Sequence, residues 1–253
     1  EIMPSLVGSE MCIRDRCNTD LTLTPSDEWI SVSVEEDKMN ITLTENNTGH
    51  VRRGSIAYKA GTNEDKITIT QYDFEKDIAG EYMFLFTNAE SGALQYLDAT
   101  LSKTGNAYSI ELTGLGFSIP VTYNKTNGDL TLKAGQYIGD YDAYKVHTTL
   151  WDTKEGYLTW DTSISMSGSF EYVEEDGVGY TIALIEDDGS WGSYHPDAIR
   201  LEAFKSTTLS SSTRVGSLLS LIDPYLQRAH AGEAITYKMA KTPVKANVEF
   251  LLK

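Results

Sequence analysis

The chain has 253 residues, enough for one or two domains with cores of their own, and a formal net charge of −16. That charge excludes a nucleic-acid partner, which needs concentrated Lys and Arg, and disfavours an anionic membrane surface. Fifteen Tyr and only six Pro suit antiparallel β-structure, and the apolar runs are too short to span a membrane as a helix.

The charge is uneven. Residues 73–205 hold 22 acids against 8 bases, whereas residues 206–253 hold 3 acids against 6 bases. A basic tail on an acidic body either packs back onto it or leaves two solvated faces. The two cysteines, Cys12 and Cys17, lie near the start. Their spacing supports neither a metal site nor a disulfide framework.

Residues 1–17 read as a leader outside the fold. The stretch EIMPSLVGSEMCIRDR has neither helical nor strand periodicity. It resembles a translated sequencing-adapter scar, to be set aside before fold reasoning. On that reading any signal peptide or lipid anchor stood before Asn18, and Cys17, with no apolar run upstream, is not a lipid-bearing cysteine.

Residues 18–72 carry short strands at roughly ten-residue spacing, the pattern of a sandwich. Pro25-Ser26-Asp27 is a turn, Ile41 and Leu43 alternate with polar neighbours, and Asn46-Asn47-Thr48-Gly49 is a loop. Arg53–Tyr58 is a strand, and Lys66–Gln71 is the last one, with Ile67 and Ile69 on one face. The order Trp29-Ile-Ser-Val-Ser, Ile41-Thr-Leu-Thr-Glu-Asn46, Arg53-Gly-Ser-Ile56 and Ile67-Thr-Ile-Thr-Gln71 resembles a BACON domain, the Bacteroidetes-associated, often N-terminal module. The resemblance implies an incomplete immunoglobulin-like sandwich with an exposed edge, its opening strands displaced by the leader. It also implies an extracytoplasmic address, at the outer-membrane surface or in the periplasm, among glycan-handling proteins. Within such a module carbohydrate binding and a spacer role are both open. Trp29 reads as core, Arg53 as a structural pairing, and Gln71 as a bond to backbone at the domain end.

Residues 73–205 read as eight to ten antiparallel strands joined by tight turns. Gly80-Glu81-Tyr82 opens the run and resembles the start of lipocalin-like barrels. Thr104-Gly105-Asn106, Asn127-Gly128, Asp176-Gly177 and Asp188-Gly189 mark hairpins, and Pro120 marks an edge or bulge. A closed or strongly curved sheet removes the edges economically. GNAYSIELTGLG and YNKTNGDLTLKAGQYIGDY resemble calycin-like barrels of Bacteroidetes lipoproteins. Such a barrel encloses a small apolar ligand or is filled by its own side chains.

The chemistry-bearing candidates are few. The tripeptide Trp-Asp-Thr occurs at 151–153 and again at 160–162, with Tyr157 between. On neighbouring strands, Trp151, Tyr157 and Trp160 would stack on a sugar while Asp152 and Asp161 take its hydroxyls. The alternative is a cross-strand aromatic pair in the barrel wall with solvated acids. Asp187-Asp188-Gly189-Ser190-Trp191 lacks the alternating ligands of a calcium loop and reads as a β-turn. His50, His147, His195 and His230 are scattered without metal spacing, and no nucleophile elbow, phosphate loop or dinucleotide fingerprint occurs. No cofactor, metal or catalytic residue is expected.

In residues 206–253 a Ser/Thr-rich linker precedes Val215–Arg228, whose apolar residues fall at helical spacing and predict a short helix interrupted by Pro224. Ile235–Met239 and Val248–Leu252 read as strands of a tail that docks on the barrel or pairs with a partner protein. The fold class is therefore all-β: a partial immunoglobulin-like sandwich, an antiparallel lipocalin-like barrel and a short helical segment near the C-terminus. The expected function is non-catalytic glycan or small-ligand binding outside the cytoplasm, or alternatively a spacer and docking module.

Overall fold

The computed structural model describes residues 5–7, 21–35, 38–175, 177–230 and 244–245. Cys12, Cys17, Asp176 and the strand expected at Ile235–Met239 lie outside them, as does the strand expected at Val248–Leu252. The chain is all-β and falls into two compact units. One holds the described residues up to Ile78 with Lys125–Gly128, and the other holds the remainder from Ala79.

The first unit contains β1 (Ser5–Val7), β2 (Leu21–Pro25), β3 (Ile30–Glu35), β4 (Lys38–Leu43), β5 (Arg52–Ala60) and β6 (Asn63–Gln71). One sheet has the order β1-β6-β5-β2, and β3-β4 form a separate pair. Alternation puts Ile30, Ile56 and Ile69 into a shared core, with Leu23, Trp29, Val32 and Ile41 packed against it. Burying each such aliphatic side chain contributes about 1.5–3 kcal/mol. Trp29, in the turn just before β3, thus packs against the core.

Gln71 binds backbone as expected, donating from Nε2 to the Thr44 carbonyl at 3.1 Å. The neighbouring Arg52 is a structural arginine. Its Nε donates to Gln71 Oε1 at 2.8 Å, its Nη2 to the Thr44 carbonyl at 2.7 Å, and its guanidinium lies 4.3 Å from the Trp29 ring centroid. Within the leader, Ser5–Val7 pairs antiparallel with Thr68–Thr70, on the edge of β6 opposite β5. An unpaired edge is a template for any extended segment.

The second unit opens with a strictly sequential meander: β7 (Gly80–Asn88), β8 (Leu94–Thr104), β9 (Ala107–Leu112), β10 (Phe117–Tyr123) and β11 (Asp129–Lys133). It continues with β12 (Tyr137–Tyr141), β13 (Tyr144–Asp152), β14 (Tyr157–Thr159), β15 (Ser165–Ser169), β16 (Glu171–Glu175), β17 (Val178–Leu184) and β18 (Glu186–Asp187). The last strands are β19 (Ala198–Phe204), β20 (Arg214–His230) and β21 (Val244–Lys245). The ladder runs β12-β13-β19-β20-β7-β8-β9-β10-β11-β15-β18. It curls into a half-barrel. Residues 134–136 join β11 to β12 across the gap, the Gly135 N–H donating to the Thr148 carbonyl at 2.7 Å and the Thr148 N–H to the Gln136 carbonyl at 2.9 Å.

Pro120 sits where β10 pairs β9 alone, since β11 meets only Val121–Tyr123. A missing N–H is tolerated there. Phe84, Phe86, Phe117, Leu101, Ile110 and Ile119 are wholly buried, so large side chains pack the core of the curl. Arg228 of β20 lies 4.9 Å over the Tyr82 ring of β7 and donates to the Ala79 carbonyl at 2.9 Å, fastening the last long strand to the first.

The segment expected to be helical is the longest strand among the described residues. β20 pairs with β19 along Arg214–Ile222, with β17 along Tyr225–His230 and with β7 on its other edge. Leu219 and Leu221 are buried on a strand period, and the register then shifts between Ile222 and Tyr225. Asp223 in that bulge has φ of +48°, and Pro224 needs no N–H there. The bulge splices two alternating runs out of phase, which in sequence mimics the helical period. Backbone pairing on both edges then decides against the helix.

Candidate functional site

The structure separates the five residues expected to form one platform. Trp151 and Asp152 end β13, and β14 returns beside them with Trp151 opposite Leu158 and Asp152 opposite Tyr157. Successive side chains of a strand face opposite ways, so Trp151 and Tyr157 lie on opposite faces of this ribbon.

Trp151 is half-buried with the Arg200 guanidinium 5.0 Å from its ring centroid. Trp160 stands edge-on to Phe204 at 5.9 Å and is part of the packing. Asp152 is buried and accepts the His195 N–H at 3.0 Å and the Glu155 N–H at 2.9 Å. These backbone donors hold its carboxyl below the ordinary carboxylate range. Asp161 accepts the N–H and hydroxyl of Ser163 at 2.9 and 2.8 Å, which lowers its pKa and closes a turn. Asp152 is taken up by backbone donors, whereas Asp161 is exposed and engages Ser163 through Oδ1 alone.

Tyr157 does take part in an aromatic surface, with partners that the sequence reading did not single out. Its ring, 52% exposed, lies 4.7 Å from that of Tyr194, and Tyr194 lies 5.1 Å from Trp191. Trp191 and Tyr194 sit in the loop between β18 and β19, both half-exposed. The signal in the sequence is Ser190-Trp191-Gly192-Ser193-Tyr194, two aromatics in a Gly/Ser turn with no strand to bury them.

Carboxylates pin this loop from several sides. Asp152 holds His195, and Asp197 Oδ1 accepts the Thr153 N–H at 2.9 Å while its Oδ2 takes the Thr153 hydroxyl. Asp188 Oδ2 accepts the Ser165 hydroxyl at 2.6 Å, and Ser190 Oγ accepts the Ser165 N–H at 2.8 Å. Burial opposes the charge on Asp188, but the donors from Ser165 and Ser190 more than offset it and leave its pKa lowered. His195 Nδ1 meets Asp187 at 2.7 Å. Two rings of a loop fixed at both ends are therefore held beside Tyr157 of β14. Rings so presented stack on flat apolar faces, and neighbouring acids accept from hydroxyls.

Among the described residues no group of three or more His, Cys, Asp or Glu side chains is placed to hold a metal ion. A hollow of about 710 Å³ lies against β7, β8 and β20, lined by Glu81, Met83, Asp98, Thr100 and Arg228 among others. Val244–Lys245 runs parallel to Gln95–Tyr96 nearby, and Lys245 pairs with Asp98.

Two family models match the chain. Residues 62–190 match DUF4987, described as a domain of unknown function, and the chain belongs to that family. Residues 19–72 match the BACON domain, described as an N-terminal domain with an inferred binding role. Searches of curated proteins and of solved structures found no match.

Proposed function

We propose that this protein is a non-catalytic, extracytoplasmic glycan-binding protein whose contact face is the aromatic surface Tyr157–Tyr194–Trp191. On this reading the second unit is a calycin-like barrel, and the BACON-type unit either binds as well or spaces it from the surface. The carrying observation is the fixed loop: two partly exposed aromatics sit on backbone held by Asp152, Asp188 and Asp197. Fixing rings before a ligand arrives reduces the ordering cost of binding. The sugar's apolar face takes the rings.

Asp152 and Asp197 are committed to backbone and side-chain donors, which supports binding over hydrolysis. A general acid needs a carboxyl whose proton is held near neutral pH, and the backbone donors to Asp152 act the other way.

A glycan array with the full chain tests the proposal. Binding to a defined subset of glycans that is lost in Tyr194→Ala, with no release of reducing ends, supports it. Absence of saturable binding, or binding indifferent to all three rings, overturns it.

A further inference from the structure

The hollow against β7, β8 and β20 has a chemistry of its own. Register sets Gln227, Met83 and Asp98 in one row across β20, β7 and β8, and Glu81 and Thr100 in the next row of the same face. Alternation turns Tyr82, Ala99 and Leu101 the other way, into the core. Arg228 goes with them, its guanidinium over the Tyr82 ring. The outward set, with Thr113, lines about 710 Å³ of space. Glu81 and Thr113 are exposed, and Met83, Asp98 and Thr100 are partly exposed, so the hollow opens to solvent.

Gln227 is the telling residue. It is 3% exposed and lines the hollow, yet among the described residues no hydrogen bond of its amide is found. An amide carries two donor hydrogens and an acceptor oxygen, and buried polar atoms are rarely left without any partner. The carboxylates beside it are also underused. Glu81 and Asp98 stand diagonally on adjacent strands. The Lys245 ammonium sits on Asp98, while among the described residues no ion pair reaches Glu81. The side chains turned to this face thus bring carboxylates, hydroxyls, an amide and one thioether, and no base.

We propose that this hollow binds an amino sugar in its ammonium form. The ammonium donates to Glu81 and Asp98, as charge-assisted bonds stronger than neutral ones. The sugar hydroxyls pair with the Gln227 amide and the Thr100 hydroxyl, and Met83 lies under the ring carbons. Lys245 is the chain's own ammonium at this place and competes with the ligand for Asp98. The site shares no residue with the Tyr157–Tyr194–Trp191 surface, so either reading stands without the other.

The test is titration of the full chain with D-glucosamine and D-galactosamine, with D-glucose, N-acetyl-D-glucosamine and methylamine as matched probes, followed by NMR of the Met83 methyl signal. Saturable shifts with the amino sugars, weakened at least about tenfold in Glu81→Gln and severalfold in Gln227→Leu, strengthened in Lys245→Ala and unchanged in Tyr194→Ala, support the assignment. Glu81 is exposed, so Glu81→Gln keeps the test decisive should Gln227→Leu unfold, and both are checked by their unfolding midpoints. Equal responses to the amino sugars and to D-glucose or N-acetyl-D-glucosamine, or none to any probe, overturn the proposal. Methylamine acting as well as the amino sugars overturns the part given to Gln227 and Thr100.

Discussion

Arg214 grips Glu202 with two parallel hydrogen bonds, Nε to Oε2 at 2.7 Å and Nη2 to Oε1 at 3.0 Å, and Glu202 is excluded from water. The pair lies between neighbouring strands β19 and β20, and Arg200 approaches the same carboxylate from two residues away. Removing that carboxylate strands two guanidinium groups, one of them well buried. Glu202→Ala is expected to destabilise the second unit by about 3–5 kcal/mol. Urea unfolding followed by tryptophan fluorescence measures it, and a loss under about 1 kcal/mol contradicts a structural role for the network.

Gly168 marks the bend where one long hairpin changes partners. β15 pairs with β11, while β16 pairs with β17, which in turn pairs with β20. A Cβ on Gly168 would meet the Leu184 carbonyl oxygen at 1.9 Å and its carbon at 2.9 Å. Backbone on the far side cannot swing away as a side-chain tip can. Gly168→Ala is expected to cost about 1–3 kcal/mol, read as a lowered thermal midpoint. Gly189→Ala is the informative contrast: open space surrounds its Cβ position, but φ is +77°, so only backbone strain of about 1 kcal/mol opposes it.

His147 gives a pH dependence with a definite sign. Burial lowers its pKa below 6.5, and a hydrogen bond to the Lys145 backbone opposes that only in part. Tyr137 and Phe204 flank the ring at 5.4 and 5.6 Å, and the elements around it carry Asp140 of β12, Lys145 and Asp152 of β13, Arg200 and Glu202 of β19, and Arg214, Asp223 and Arg228 of β20. Below about pH 6.5 the unfolded chain takes up a proton that the folded chain refuses, so stability falls as pH drops toward the folded pKa. Above that window the group contributes no slope. Subtracting the urea stability of His147→Asn from that of wild type, across pH 5–8, isolates the effect from the other histidines. A difference that is flat with pH contradicts it.

Asp223 carries the opposite kind of strain. Its φ of +48° is unusual for a side chain other than glycine, and burial, with Asp197 nearby, raises its carboxyl pKa. Raised relative to the unfolded chain, this group opposes folding once pH exceeds about 3.9. Asparagine tolerates the same backbone and carries no charge. Asp223→Asn is expected to raise stability at pH 7 by about 0.5 kcal/mol, a figure kept small because solvent screens a partly exposed carboxylate. Thermal unfolding at pH 7 and at pH 3.5 checks it: the gain should shrink at the lower pH.

Much of the architecture is legible in the sequence because alternation and turn chemistry are local. Ile67 and Ile69, the Gly105 and Gly128 turns, and Trp29 beside Ile30 all sit as their spacing predicts. What is illegible depends on distant pairing. Leu219, Leu221 and Leu226 belong to one strand whose phase is reset by a bulge, and no window of local sequence records the three neighbours that fix it. The site was half legible for the same reason. Tyr157 was visible as an aromatic near a turn, but its partners Tyr194 and Trp191 lie more than thirty residues on, brought over by Asp152 holding His195. Arg200 and Glu202 alternate with Leu201 as a solvated face would, yet the rows from β13 and β20 close over Glu202.

The central claim is that the aromatic surface, rather than the core of the curl, binds glycan. Its most direct test is titration calorimetry of the strongest array glycan into wild type and Tyr194→Ala. Loss of the middle ring is expected to weaken binding at least about tenfold, or about 1.4 kcal/mol, with the unfolding midpoint little changed. Equal affinity in the two proteins would contradict the account.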